Sequence, residues 1–292
     1  MGLSAGTVRK QDRRSGGSDY RRRVGSSVTG GDRYYAWEER KPSKRKQDDV
    51  KFKGILFKAF HESNRTYGCG RLGSVLEDMG FHVGRRRISR LQREATLFPV
   101  QRKKFYHTTD SNHSLPICRN LVKQDFSSNR PNALWTSDVK MVRTDEGWLY
   151  LCIILDVFSR RVVGWAMETF KGADLVLKTL AMALSRRILD AVCIFHSDRG
   201  SEYAAKIVQE ILKDRGFIQS MSGSGNCYDN AVTESFFASV EKECLQQLSL
   251  KTIKDTRTRI FCYIEAWYNM KRKHSYVGNI SPAEYEKRFV GA

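Results

Sequence analysis

Three acidic residues stand out by their placement. Asp138 interrupts LWTSDVKMV, an apolar stretch that reads as a strand, and strand interiors disfavour aspartate. Asp198 follows the apolar run AVCIFHS, within HSDRGSEY. Functional groups of α/β sheets collect at the carboxyl ends of strands. Glu234 falls in the first turn of a helix that starts at Asp229 or Asn230, after the Gly/Ser loop 222–228. Each has an ordinary alternative. Asp198 is also suited to a turn before Gly200, Glu234 to complementing a helix dipole, and Asp138 to pairing with Lys140 or Arg143. Gathered on one sheet, the three repel and raise one another's pKa, a conflict that divalent cations resolve. Their hard oxygens suit Mg²⁺, with Mn²⁺ the alternative. Two such ions about 3.5–4 Å apart serve phosphodiester displacement, activating the attacking oxygen and stabilising the leaving one.

The elements that must carry these acids follow from periodicity. Residues 134–143, 148–158 and 161–168 read as strands. The second is almost continuously apolar, as expected for a strand covered on both faces, and residues 159–160 read as a tight hairpin. A helix at about 173–187, a strand at 191–197, a helix at about 203–215 and a strand at 217–221 follow. Helices at about 230–246 and 252–271 close the chain. This order predicts an α/β fold, a mixed sheet flanked by helices. Upstream, residues 50–62 show helical spacing. Helices at about 68–79 and 84–95, broken at Gly80, form a helix-turn-helix pattern. Arg85, Arg86, Arg87, Arg90 and Arg93 lie on the open face of the second helix, suited to DNA phosphate and groove contact. A small helical bundle with a solvated basic face is the alternative. The division expected is a disordered basic tail at 1–31, an all-α helix-turn-helix region at 32–98, a linker at 99–131, and a catalytic core with C-terminal helices at 132–292.

Charge agrees with this division. The 292 residues carry a formal charge of +19, but residues 1–130 hold 29 Lys and Arg against 13 acids, and the remainder 22 against 19. A polycationic front points to a polyanionic partner, most simply nucleic acid. No apolar run is long enough to span a bilayer, and the basic start lacks an apolar signal core. A soluble, cytoplasmic protein without a membrane partner is expected. Seven scattered cysteines without a C-x-x-C argue against a disulfide framework. His61, His82, His107 and His113 form no tight ligand pair with Cys69 or Cys118 for zinc.

Five stretches, LWTSDVKMV, LDVFSRRVVGWAM, HSDRGSEYAA, SMSGSGNCYDNAVTESFF and EAWYNMKRKHSYVGNISPAEY, resemble the OrfB transposases of bacterial insertion sequences, the group numbered three. YYAWEERKPSKR and HESNRTYGCGRL…GFHVGRRRISRL resemble that group's helix-turn-helix region, so the likeness covers roughly residues 34–287. The resemblance implies a ribonuclease-H-like core of the retroviral-integrase type, and DNA cleavage followed by strand transfer with two Mg²⁺ ions. Asp138 would be the ligand shared by both ions, with Asp198 and Glu234 each completing one. The 35 residues between the last two match the superfamily's spacing. Also implied are element-end inverted repeats and target DNA as substrates, a homo-oligomer that pairs two ends, and fusion to or action with an upstream-frame protein in a bacterial, nucleoid-associated setting. His196 is expected to support the strand end and Asn230 to cap the helix or orient its loop. Lys242, Lys271, Arg272 and Lys273 are expected to contact DNA.

Three features depart from the family. Residues 1–31 match nothing in it. Glu241 stands where the family carries a DNA-directed lysine, with Lys242 one position on. Gly223 and Ser224 replace basic residues. Two competing readings are an impaired transposase that acts as a DNA-binding protein, and a structure-specific nuclease of the same fold.

Overall fold

A computed structural model describes residues 41–100, 115–223, 230–246 and 252–290. The expected tail at 1–31, the aromatic segment at 34–37, the middle of the expected linker and the loop from Ser224 to Asp229 lie outside the described residues. From Asp48 onward the chain is one compact unit, so the front helices and the sheet share it.

The three front helices are α1 (Lys44–Glu62), α2 (Cys69–Asp78) and α3 (Arg85–Glu94). Their buried faces are Phe52, Leu56 and Phe60, then Leu72 and Leu76, then Ile88 and Leu91, the spacing expected of amphipathic helices. Asp49 binds both Arg87 (2.7 Å) and Arg90 (2.6 Å), so α1 is tied to the basic helix by charge as well as by packing.

The core is a five-stranded sheet of β1 (Leu134–Thr144), β2 (Gly147–Asp156), β3 (Arg161–Glu168), β4 (Cys193–Ser197) and β5 (Phe217–Met221). The order is β3-β2-β1-β4-β5, with β1, β2 and β3 an antiparallel meander and β4 and β5 parallel to β1. This is the ribonuclease-H-like arrangement. The double burial expected of β2 is met from Leu151 to Asp156, while Trp148 at its start is exposed. Cys152 and Ile154 pack on one face with α4 (Ala173–Arg186), and Leu151, Ile153 and Leu155 on the other with α7 (Ala231–Val240) and α8 (Ile253–Cys262). Between β4 and β5 the chain forms α5 (Ser201–Ala204) and α6 (Lys206–Asp214).

Four local expectations are corrected. Asp156 pairs with Arg161, so the connection holds four residues rather than two, and Arg160 turns the chain at φ 62. The helix expected at 203–215 begins at Ser201 and breaks at Ala205 (φ −58, ψ 131). Tyr203 in its first piece donates to or accepts from Ser137 Oγ at 2.8 Å. Both C-terminal helices end in π-helical turns, Glu241–Leu245 and Tyr263–Tyr268. A further helix, α9 (Pro282–Val290), follows them. Its start was legible: Ser281, Pro282 and Glu284 match a capping box with proline at the first helical position, and Ser281 Oγ accepts from Glu284 N at 3.2 Å.

Gly164 on β3 faces α4 closely. An added Cβ would lie 2.4 Å from the Thr179 carbonyl oxygen and 2.8 Å from Ala183 Cβ. Gly164→Ala is expected to destabilise the protein by about 1–3 kcal/mol through overpacking, read as a lower urea midpoint. An unchanged midpoint would mean that α4 moves away at no cost.

Candidate functional site

Register sets the two aspartates side by side. The parallel strands β1 and β4 pair Leu134 with Ile194, Trp135 with Phe195 and Thr136 with His196. Asp138 and Asp198 each come two residues after the last of these steps. They therefore leave neighbouring strands at one level, strands being about 4.8 Å apart. Asp138 lies within β1 opposite Ile153 of β2, and its Oδ1 accepts from Val139 N at 2.7 Å. Asp198 begins the turn after β4, and its Oδ1 accepts from Gly200 N at 3.0 Å. Glu234 reaches the same place from the first turn of α7, which packs beside β1.

The electrostatics record this convergence. The Asp138 side chain keeps a path to solvent but is densely surrounded by protein. Burial pushes its carboxyl well above the ordinary range, and the charges of Asp198, Glu202 and Glu234 push it further against the Val139 hydrogen bond. Among the described residues, no three His, Cys, Asp or Glu side chains already stand close enough together to hold a metal ion. In chemistry the donors nevertheless fit a hard dication. They are carboxylates, converging from two strands and a helix, whose mutual repulsion a cation relieves.

The supporting residues take specific places. His196 is fully buried, and its Nδ1 lies 2.8 Å from Ser220 Oγ on β5, holding the strand end. Asn230 occupies the N-cap position of α7, but its side chain takes no backbone N–H. Its Oδ1 instead meets the Thr233 hydroxyl, which also donates to the Asn230 carbonyl at 3.0 Å. The expected side-chain cap is therefore corrected to a side-chain clasp across the first turn.

Glu241 begins the π-helical turn that extends α7, and its Oε2 lies 3.2 Å from Lys140 Nζ on β1. Lys140 is two residues beyond Asp138, so strand and helix meet at two successive levels. The acid that departs from the family pattern faces an internal cation.

The basic residues divide. Arg85, Arg86 and Arg93 are exposed on α3, Arg87 and Arg90 are half-buried against Asp49, Lys242 is half-buried and Lys271 is exposed. Arg272 and Lys273 are corrected, because both are buried and engaged inside the protein. Arg272 grips Glu243, with Nε 2.8 Å from Oε2 and Nη2 2.8 Å from Oε1. Glu243 also accepts from the Tyr263 hydroxyl at 3.0 Å and lies 3.9 Å from Arg71 of α2. Lys273 Nζ reaches Asp78 of α2 at 2.5 Å and Ser74 Oγ at 3.1 Å. These contacts lock the front helices to the extension of the helix that carries Glu234. Sequence reading missed Glu202 and Lys171 of the carboxylate cluster. Glu202 is i+4 from Asp198, but a first-turn glutamate is an ordinary helix feature.

An HTH-like domain family matches residues 47–105, and two integrase core domain families match 128–227 and 234–289. A 31 kDa protein of insertion element IS600 from Shigella sonnei is 41% identical, covering 88% of this chain and 94% of its own. Transposase InsF of insertion sequence IS3A from Escherichia coli K12 is 37% identical, covering 87% and 89%. A simian T-cell lymphotropic virus intasome structure aligns with TM-score 0.45 and 12% identity over 73% of each chain.

Arg272→Met should leave Glu243 buried without its main partner and cost about 3–5 kcal/mol of stability. Lys271→Ala should change stability by less than about 0.5 kcal/mol. Urea unfolding of both variants checks the contrast, and equal losses would refute the division between buried and exposed cations. A second expectation concerns pH. The Asp138 carboxyl is raised in the folded state, so its contribution is full below its unfolded value and lost as pH rises through the folded one. In EDTA, the stability of wild type relative to Asp138→Asn should fall as pH rises through that range. A difference independent of pH would show that the cluster does not perturb Asp138.

Proposed function

This chain belongs to the insertion-sequence transposases that carry an integrase core, and on that premise we propose that Asp138, Asp198 and Glu234 are the residues with which it cleaves element ends and joins them to target DNA. The observation that carries the reading is the convergence of these three carboxylates from β1, the end of β4 and the first turn of α7, with the Asp138 carboxyl raised by burial and then by the charges of the other two.

The three acids are the residues that would hold Mg²⁺ or Mn²⁺. A pair of such ions would supply charge stabilisation at the attacking and leaving oxygens of a phosphodiester displacement. The chain's own residues do the positioning. β1 fixes Asp138 in a strand braced on both sides, and the Gly200 N–H orients Asp198 Oδ1. The Thr233–Asn230 clasp holds the first turn of α7 around Glu234. Arg85, Arg86 and Arg93 on α3 present exposed guanidinium groups suited to DNA phosphates. In the first step water attacks phosphorus at the element end, and the P–O3′ bond breaks to free a 3′-hydroxyl. That hydroxyl then attacks a target phosphodiester, forming one P–O bond as another breaks. Two ends reacting in concert imply a homo-oligomer, with the element's terminal inverted repeats as specific substrate. Among the described residues no helix is long and apolar enough to cross a membrane.

Asp138→Asn, Asp198→Asn and Glu234→Gln should each lower Mg²⁺-dependent end cleavage and strand transfer by ~10³-fold or more, a loss of several kcal/mol of transition-state stabilisation. Gel-shift binding to element-end DNA should persist in all three. Full activity in any one variant removes that residue from the reading. Cleavage of branched substrates without strand transfer would favour a nuclease of the same fold.

A further inference from the structure

The short helix α5 brings a fourth acid to the cluster. Glu202 is 3% exposed, so its carboxylate is held away from water. Its carboxylate folds over the turn that follows Asp198. A Cβ on Gly200 would lie 2.6 Å from Glu202 Oε1 and 2.7 Å from Oε2, so glycine at that position is what leaves it room. The same Gly200 donates its N–H to Asp198. A buried carboxylate is costly unless a cation stands beside it. The cation is Lys171, from the connection between β3 and α4, with Nζ 2.9 Å from Glu202 Oε1 and the side chain 31% exposed. Burial pulls the Lys171 ammonium down, yet Glu202, Asp198 and Asp138 together raise it above its ordinary value. Lys171 therefore lies in the field of the two aspartates as well as that of its direct partner.

We propose that Lys171 is a built-in counter-ion of the carboxylate cluster, held there through Glu202, and that this pair sets the affinity of the site for its divalent cation. The inference rests on the metal reading above. Without a dication, the ammonium offsets part of the charge gathered around Asp138 and keeps the buried Glu202 tolerable. When a dication enters, ammonium and metal repel, so Lys171 raises the concentration at which the site fills. Glu202 acts oppositely, adding negative charge and drawing Lys171 to itself. Both are positioning residues, acting through the field at Asp138 and Asp198.

The test is calorimetric titration of the full chain with Mn²⁺ in metal-free buffer, alongside melting in EDTA and in Mg²⁺. Lys171→Met should tighten Mn²⁺ binding roughly tenfold, and Glu202→Gln should weaken it by a similar factor, as expected for one charge added to or removed from the field around the two aspartates. The double variant should return near wild type. In EDTA, Lys171→Met should melt lower than wild type, and Mg²⁺ should restore more of its stability. Lys171→Gln, which keeps a polar end, should repeat both results. Shifts of the two single variants in the same direction would overturn the proposal. So would unchanged Mn²⁺ affinity with a melting deficit that persists in Mg²⁺, the behaviour of a purely structural ion pair. Wild type that binds no Mn²⁺ at all would overturn the metal reading and this inference together. Wild type that binds normally, without the opposed shifts, would overturn the inference alone.

Discussion

Carboxylates crowded around Asp138 repel one another, and that repulsion is the constraint the rest of the fold has to contain. A group of like charges in a partly buried place spreads apart unless each member is anchored by something stiffer than the repulsion. Here the anchors are of three kinds. Asp138 sits in β1, hydrogen-bonded to β2 on one side and β4 on the other. Asp198 is held by the turn it begins, through the Gly200 N–H. Glu234 rides on a helix whose Phe236, Phe237 and Val240 are buried against the sheet. Asp138 thus occupies the strand where the antiparallel and parallel halves of the sheet meet, paired with Ile153 and two residues past the last pairing with β4.

The helix that carries Glu234 needs a fixed far end as well as a fixed first turn. That end is a polar knot rather than an apolar plug. Glu243 gathers Arg272, Tyr263 and, at longer range, Arg71, while Lys273 binds Asp78 and Ser74. Buried ion pairs are weak sources of net stability, because desolvation offsets much of the attraction, but they tolerate only one arrangement of partners. The knot therefore specifies how α2, the extension of α7 and the chain after the second π-helical turn fit together. Trp267 adds apolar contact, packing against both the front-helix core and the core beneath the sheet. In this arrangement the basic front and the carboxylate site are parts of one compact unit.

The sheet was legible because its signals are local and redundant. β2 read as a strand covered on both faces from the mostly apolar residues 148–158, and both faces are buried from Leu151 onward. β4 was marked by a short apolar run, and β5 was read as a short strand leading into the Gly/Ser loop. What stayed hidden depended on distance. Nothing near EAWYNMKRKHSY distinguishes an arginine that binds DNA from one that binds Glu243, 29 residues upstream in the chain, so Arg272 and Lys273 were misplaced. The break at Ala205 and the π-helical turns answer to packing against elements that the local sequence does not contain. α9 is a different case, since Ser281, Pro282 and Glu284 spell its start and the signal was overlooked. Within the site, Asp138 was readable as a misfit of its strand and Asp198 by its place at the carboxyl end of one. Glu202 was not, because an acid in a first turn fits its local surroundings and only its burial makes it unusual.

Glu241 shows how far charge identity at one position depends on what faces it. Read along the helix, an acid seven residues after Glu234 is a negative charge aimed where a phosphate would come. Read in space, it is the partner of Lys140 at 3.2 Å, on the strand that also carries Asp138. An ion pair at that separation presents a much smaller field at longer range than either charge alone, so its net effect on an approaching phosphate is less than a lone carboxylate would exert. The same reasoning applies one level down, where Lys171 faces Glu202. The surroundings of the carboxylates are thus built from paired rather than isolated charges. The lysines at 140 and 171 are the cationic partners of these pairs, one on β1 and one on the connection between β3 and α4.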